Sequence, residues 1–281
     1  MKLKNIFLGV ATAAMAMAAA SCSNIDEGDR LIYVKPAEVG RAVLIEDLTG
    51  QRCINCPTGN DIITGIIKTY GEDNVIAVGI HCGPLGFAGN SKRVGLMTDT
   101  GDEYYTHWAN GTNLGQPSAI FNRKKGKGPI DNYNNWPAEV SLIISEKANL
   151  YVNIDNAYDA KTRTLTTKVD AFGVNDTVTV SGKLQVWIVE DGIKAMQLMP
   201  DGSANQEYIH NHVFRAAVNG TWGEEVTVKE GETTTKQYSY EHLPETWNAE
   251  NISVVAFVYN DNGVENVAKK HIVEHEEETE K

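Results

Sequence analysis

Two periods of apolar residues organise the first half of the chain. In "RAVLIEDLTG" (41–50), Val43 and Ile45 share one face, which predicts a strand running into a turn. In "CPTGNDIITGIIKTYG" (56–71), Ile62, Ile63, Ile66, Ile67 and Tyr70 recur at helical spacing, with Pro57 suited to a first turn and Gly71 to a C-terminal stop. "NVIAVGIHCG" (74–83) is a continuous apolar run of strand length, as in a strand buried on both faces. Strand, helix and strand make a βαβ unit. After an irregular stretch, Thr100 with Glu103 forms a capping box that predicts a helix start. "GQPSAIFNRKKGKG" (115–128) then reads as a strand led by Pro117 and closed by a basic, glycine-rich turn, and "NNWPAEVSLIISEKA" (134–148) as a helix with Pro137 in its first turn. This α/β domain spans 37–148.

From residue 149 to the end at 281 the period changes. Six alternating or aromatic-rich segments, beginning at 150, 163, 176, 224, 233 and 252 and separated by Gly, Asn and Asp turns, predict an all-β sandwich. The other end of the chain predicts export. Lys2 and Lys4 precede an apolar run over 6–20 that is too short to span a bilayer and ends in "AAASC". Residues 1–21 therefore read as a signal peptide and 22–36 as a linker. The small residues before Cys22 resemble a bacterial lipobox, with Ala19 where leucine is usual; the alternative is an ordinary secretory signal. Acylation of Cys22 would tether the mature chain to a membrane by its N-terminus. Ser23 is not the aspartate associated with inner-membrane retention, and "NIDEGD" is similar to surface-export signals of Bacteroidetes lipoproteins, so an outer-membrane location is expected on either face.

Hydrophobic residues make up 42% and charged residues 22% of the chain, a balance that supports packed cores. The formal charge of −12 argues against nucleic acid and anionic lipid surfaces, which need a basic face. "EHEEETEK" reads as a solvated acidic tail.

The chemistry concentrates in "GQRCINCPTG" (50–59). A structural zinc site would need a second cysteine pair or two suitably spaced histidines, and the sequence supplies neither. A structural disulfide closing so short a loop removes little unfolded-state entropy. Placement between a buried strand and a helix N-terminus, with Arg52 beside Cys53, instead favours a thiolate. That is the requirement of thiol–disulfide exchange.

These motifs resemble the thioredoxin superfamily over residues 41–148. The resemblance implies that Cys53 is the exposed nucleophile and Cys56 the resolving thiol. It further implies that Asp47 is a buried acid moving the proton of Cys56, and that Pro117 is a cis-proline that contacts substrate beside the backbone of Gln116. Strand alternation puts Asp47 on the face of Val43 and Ile45; the alternative has Glu46 facing inward. Cys82 ends the second strand at the same sheet edge, either as a third thiol or as a buried small hydrophobe. With "VWIVEDGI", "EYIHNHVFRAAVNGTWGEE" and "VVAFVYNDN" added, nearly the whole mature chain resembles the twenty-eight-kilodalton outer-membrane protein family of Bacteroidetes. This implies a thioredoxin-like domain followed by an immunoglobulin-like β domain.

Two functions follow as expectations. One is an envelope oxidoreductase acting on protein substrates or a partner redox protein, with no cofactor and no metal. The other is a binding lipoprotein that keeps the fold as a redox-inactive scaffold. His210 and His212 would share a strand face, but no third ligand is placed beside them, and they read as surface or packing residues. Thr177 in "DTV" is similar to an O-glycosylation acceptor.

Overall fold

Seven consecutive buried residues, Val43–Thr49 (β1), make the central strand of the N-terminal half. The computed structural model describes residues 40–174 and 178–273, which belong to one compact unit. Cys22, Thr177, the expected signal and linker, and the acidic tail lie outside the described residues.

The helix predicted after β1 is Cys56–Tyr70 (α1), with Pro57 in its first turn and the Gly71 N–H closing it on the Ile67 carbonyl at 2.8 Å. Val75–His81 (β2) pairs parallel with β1 from Val43↔Val75 to Thr49↔His81. Asp99–Ala109 (α2) starts earlier than its sequence suggested. Thr98 is the cap, its hydroxyl accepting from the Gly101 N–H at 3.0 Å, so the Thr100–Glu103 box is not the helix start. Ser118–Phe121 (β3) runs antiparallel to β1, and Trp136–Ile144 (α3) carries Pro137 near its start. Ile63 and Ile66 of α1 and Trp136, Val140 and Ile143 of α3 cover Val43, Ile45, Ala77 and Phe121 on one sheet face.

Among the described residues the C-terminal half contributes ten strands: β4 (Leu150–Asp159), β5 (Thr164–Gly173), β6 (Val180–Glu190), β7 (Ile193–Leu198), β8 (Ala204–His210), β9 (Val213–Ala217), β10 (Glu224–Val228), β11 (Thr233–Tyr240), β12 (Ile252–Asn260) and β13 (Gly263–His271). The alternation read in β4 and β5 is real: every second residue of β5 is buried. The sheet β11-β5-β4 packs Val152, Ile154, Leu165 and Val169 against Val186, Ile188, Val254 and Ala256 of β6 and β12, forming a two-layer sandwich.

Past residue 148 the chain returns to the first sheet. The larger sheet has the order β13-β12-β6-β9-β2-β1-β3, and β9 joins the two halves by pairing parallel with β2 at Gly79↔Val213. Asn122, at the end of β3, fastens the same seam. Its side chain accepts from the Leu44 N–H at 2.6 Å and donates to the Ala42 carbonyl at 3.1 Å, while its own carbonyl accepts from the Val264 N–H at 2.7 Å. Gly263 meets this carbonyl so closely that a Cβ there would lie 2.5 Å from it, and its φ of +120° also requires glycine. The architecture is thus mostly β-sheet with few helices. Among the described residues no helix is long and apolar enough to cross a membrane.

Candidate functional site

The turn after β1 presents the cysteine pair at the N-terminus of α1. Gly50 allows that turn to press against the 83–86 loop, where a Cβ would meet the Leu85 carbonyl at 2.3 Å. The Arg52 N–H donates to that carbonyl at 3.0 Å and the Cys53 N–H to the Gly50 carbonyl at 3.0 Å. Cys53 and Cys56 are joined in a disulfide, with Cα atoms 5.4 Å apart. Arg52 lies over the Phe87 ring, its Cζ 4.9 Å from the centroid.

Pro117 follows a cis peptide bond and packs on the first turn of α1, where a Cβ on Gly59 would lie 3.0 Å from its ring. The side chain of Gln116 is turned inward. Its amide donates to the carbonyls of Thr49 at 2.8 Å and Cys82 at 2.9 Å, joining the ends of β1 and β2. Cys82 is a fully buried free thiol whose pKa is pushed well above its ordinary value, first by burial and then by the nearby charges of Asp102 and Asp47. A thiol in that state is a poor nucleophile and packs as a small hydrophobe.

Asp47 lies on the face of Val43 and Ile45, only 5% exposed, and burial raises its pKa to about 7 against the opposing hydrogen bond from Thr49. Glu46 points to the opposite face, where it pairs with Arg123. Asp47 and Cys56 line one small cavity of about 30 Å³ with His81, Tyr208 and His210. A buried carboxyl whose pKa lies near neutrality can give or accept a proton there.

Cys53, expected to be exposed, is not: it is 1% exposed and Cys56 3%, while Ile54 between them is 44% exposed. The cover is the β7–β8 hairpin, an element the strand periodicity did not reveal. Gln197 donates to the Cys53 carbonyl at 2.8 Å, and the Leu198 N–H donates to the Gln51 carbonyl at 2.9 Å. The Gln51 side chain donates in turn to the Met196 carbonyl at 2.9 Å. On the second strand, the Tyr208 hydroxyl accepts from Asn60 at 3.4 Å, and the His210 ring meets His81 edge to face at 5.1 Å. The signal that could have exposed this hairpin is "MPDGS", a Pro-Asp-Gly turn between two short runs.

His210 and His212 do not share a face. His210 ends β8, whereas His212 lies beyond the strand with φ +57° and its Nδ1 is 3.0 Å from Asp191; both border the cavity. Among the described residues no cluster of three or more His, Cys, Asp or Glu side chains is disposed to hold a metal.

The sequence profile of outer membrane protein Omp28 matches residues 102–276, well over half of the chain. The chain belongs to the Omp28 outer-membrane protein family. It is accordingly an outer-membrane protein, and the span matched to Omp28 includes Pro117, the covering hairpin and the β sandwich but begins after the cysteine pair. HBP35 of Porphyromonas gingivalis superposes with a TM-score of 0.68 over 87% of this chain and 79% of that one, at 15% identity, so it shares the fold. A domain of the outer membrane lipoprotein Omp28 from the same organism is 26% identical, covering 43% of this chain and 94% of that one, with a TM-score of 0.31. No curated protein matches the chain.

Proposed function

We propose that this chain is a lipid-anchored thiol–disulfide exchange protein of the outer membrane, with residues 37–148 as a thioredoxin-like unit and the β sandwich of 149–281 attached to it. Cys53 is the sulfur attacked or attacking, Cys56 resolves, Asp47 moves the proton of Cys56, and Pro117 lines the approach. The observation that carries this reading is Asp47, a buried carboxyl with a pKa near 7 in the same small cavity as Cys56. A mere staple has no use for so costly a buried acid. Partners are protein disulfides or a redox protein. The net charge of −12 disfavours nucleic acid.

One observation favours a second reading. The burial of Cys53 under the hairpin suits a binding protein whose disulfide is a scaffold. The reduction potential separates the two. An exchange catalyst equilibrates in glutathione buffers at roughly −120 to −270 mV, whereas a disulfide staying oxidised far below that range means a scaffold. In the exchange reading the hairpin must open, so Gln197→Ala, which removes a contact to Cys53, is expected to speed reduction by glutathione roughly three- to tenfold. An unchanged rate in that variant would mean that the hairpin does not limit access. The anchor is tested separately: Cys22→Ala is expected to abolish palmitate labelling and release the protein from membranes, and label persisting in the variant removes the anchor.

A further inference from the structure

We propose that His210 and His81 complete a proton path to Cys56, acting through Asp47 as positioning residues delivered by two different strands. The inference rests on the exchange reading. Its basis is three polar atoms, Asp47 Oδ1, His81 Nδ1 and His210 Nε2, each buried and each without a hydrogen-bond partner in the protein. All three residues are more than nine-tenths buried and line the same cavity of about 30 Å³ as Cys56. An unpaired buried polar atom is destabilising, so a convergence of three is expensive unless the cavity serves them together. A cavity that size admits a water, which needs about 10–15 Å³ by this measure and two to four polar partners. A water there is the partner these unpaired atoms lack in the protein.

The rings suit holding a water. Burial, then the neighbouring His210 and Arg215, holds His81 neutral, and burial brings the pKa of His210 down to about 4, against its hydrogen bonds to the main chain of Ala195 and Met196. Those bonds occupy one nitrogen of the neutral His210 ring and leave Nε2 to accept from a cavity water. The groups facing the cavity are Asp47 and Thr49 from β1, Cys56 and Asn60 from α1, His81 from β2, Gln197 from β7, Tyr208 and His210 from β8, and His212 after β8. Arg215 on β9 adds charge near His81.

The step balances. A client thiolate attacks Cys53 Sγ, forming a mixed disulfide; the Cys53–Cys56 bond breaks and its electron pair leaves on Cys56 Sγ. The Asp47 carboxyl gives its proton to that sulfur and is reprotonated from solvent by way of the cavity water that His81 and His210 hold. In reverse, Asp47 takes the Cys56 proton, the Cys56 thiolate attacks Cys53 Sγ of the mixed disulfide, and the client departs as a thiolate.

The test uses the full chain and the pH profile of its disulfide reduction by dithiothreitol, together with the ultraviolet thiolate titration of Cys56 in a Cys53→Ser background. His210→Gln and His81→Gln are each expected to slow reduction at pH 7 by about tenfold and to move the Cys56 titration, in the direction of Asp47→Asn but less far. Melting temperatures identify a variant whose fold is lost, and the other histidine variant then decides the outcome. If both histidine variants keep the wild-type profile and titration while Asp47→Asn alters them, the path ends at Asp47 and the proposal is overturned while the exchange reading stands. If Asp47→Asn is also silent, the exchange reading falls with it.

Discussion

At pH 8 the Asp47→Asn protein is expected to be more stable than wild type, by up to about 4 kcal/mol, and to resolve mixed disulfides about a hundredfold more slowly. The sign follows from burial. The Asp47 pKa rises from 3.8 unfolded to about 7 folded, so between those values the native state binds more protons than the unfolded state. Wild-type stability therefore falls as pH rises from about 4 to 7, and the full cost stands above pH 7. Asparagine carries no such charge, so its advantage should be largest at pH 8 and vanish below about pH 4. Urea unfolding at pH 4, 6 and 8 measures the first effect, and release of glutathione from the Cys53 mixed disulfide measures the second. A variant of unchanged stability at pH 8 would mean that Asp47 is solvated, and unchanged release would mean that it moves no proton.

The second large effect is expected at Arg123. Its guanidinium meets the fully buried Glu46 twice, Nε to Oε1 at 2.7 Å and a terminal nitrogen to Oε2 at 2.8 Å. Around it stand the rings of Tyr259, Phe257 and Trp187, with centroids 4.6, 5.0 and 5.5 Å from its Cζ. Burial alone would lower the Arg123 pKa, but Glu46 overcomes it and the value is raised, so the charge stays. Arg123→Met strands the Glu46 carboxylate in an apolar site and should cost about 3–5 kcal/mol in urea unfolding. Glu46→Leu combined with Arg123→Met removes both charges and should recover most of that loss. A double variant no more stable than Arg123→Met would show that the aromatic cage, and not the charge pairing, is what Arg123 supplies.

Arg123 also marks where reading along the chain stopped working. In "NRKKGKG" it looks like one charge of a solvated turn, yet it is the cation that packs between β3 and the rings of β6 and β12. Local pattern carries information about faces and ends, and there it served well. The stripe of α1, the run of β2 and the alternation of β5 follow from periods of 3.6 and 2 residues, which any neighbouring layer must respect. The same parity put Asp47 beside Val43 and Ile45. Thr98 displaced Thr100 as a helix cap because both are threonines at the helix entrance and only the path of the chain distinguishes them.

The hairpin is the larger omission. β8 is mostly exposed or half-buried, because only its inward residues Tyr208 and His210 touch the site, so its short strand has no strong apolar alternation. Gln197 and Cys53 are 144 residues apart in the chain, and no local period announces so distant a contact.

Sequence alone therefore determined what lies within a turn or a strand: the βαβ order, the cysteine spacing at a helix start, the acid six residues upstream, the strands of the sandwich and the family resemblance. Tertiary structure alone decided what covers what. It closed a β hairpin over the disulfide, brought His81 and His210 into the cavity of Asp47, carried one sheet across both halves through β9, and buried Arg123 against Glu46. The division has a physical cause. Backbone periodicity and capping are local and repeat along the chain, whereas burial, and with it the charge state of every buried acid and imidazole, depends on which distant segment excludes the water.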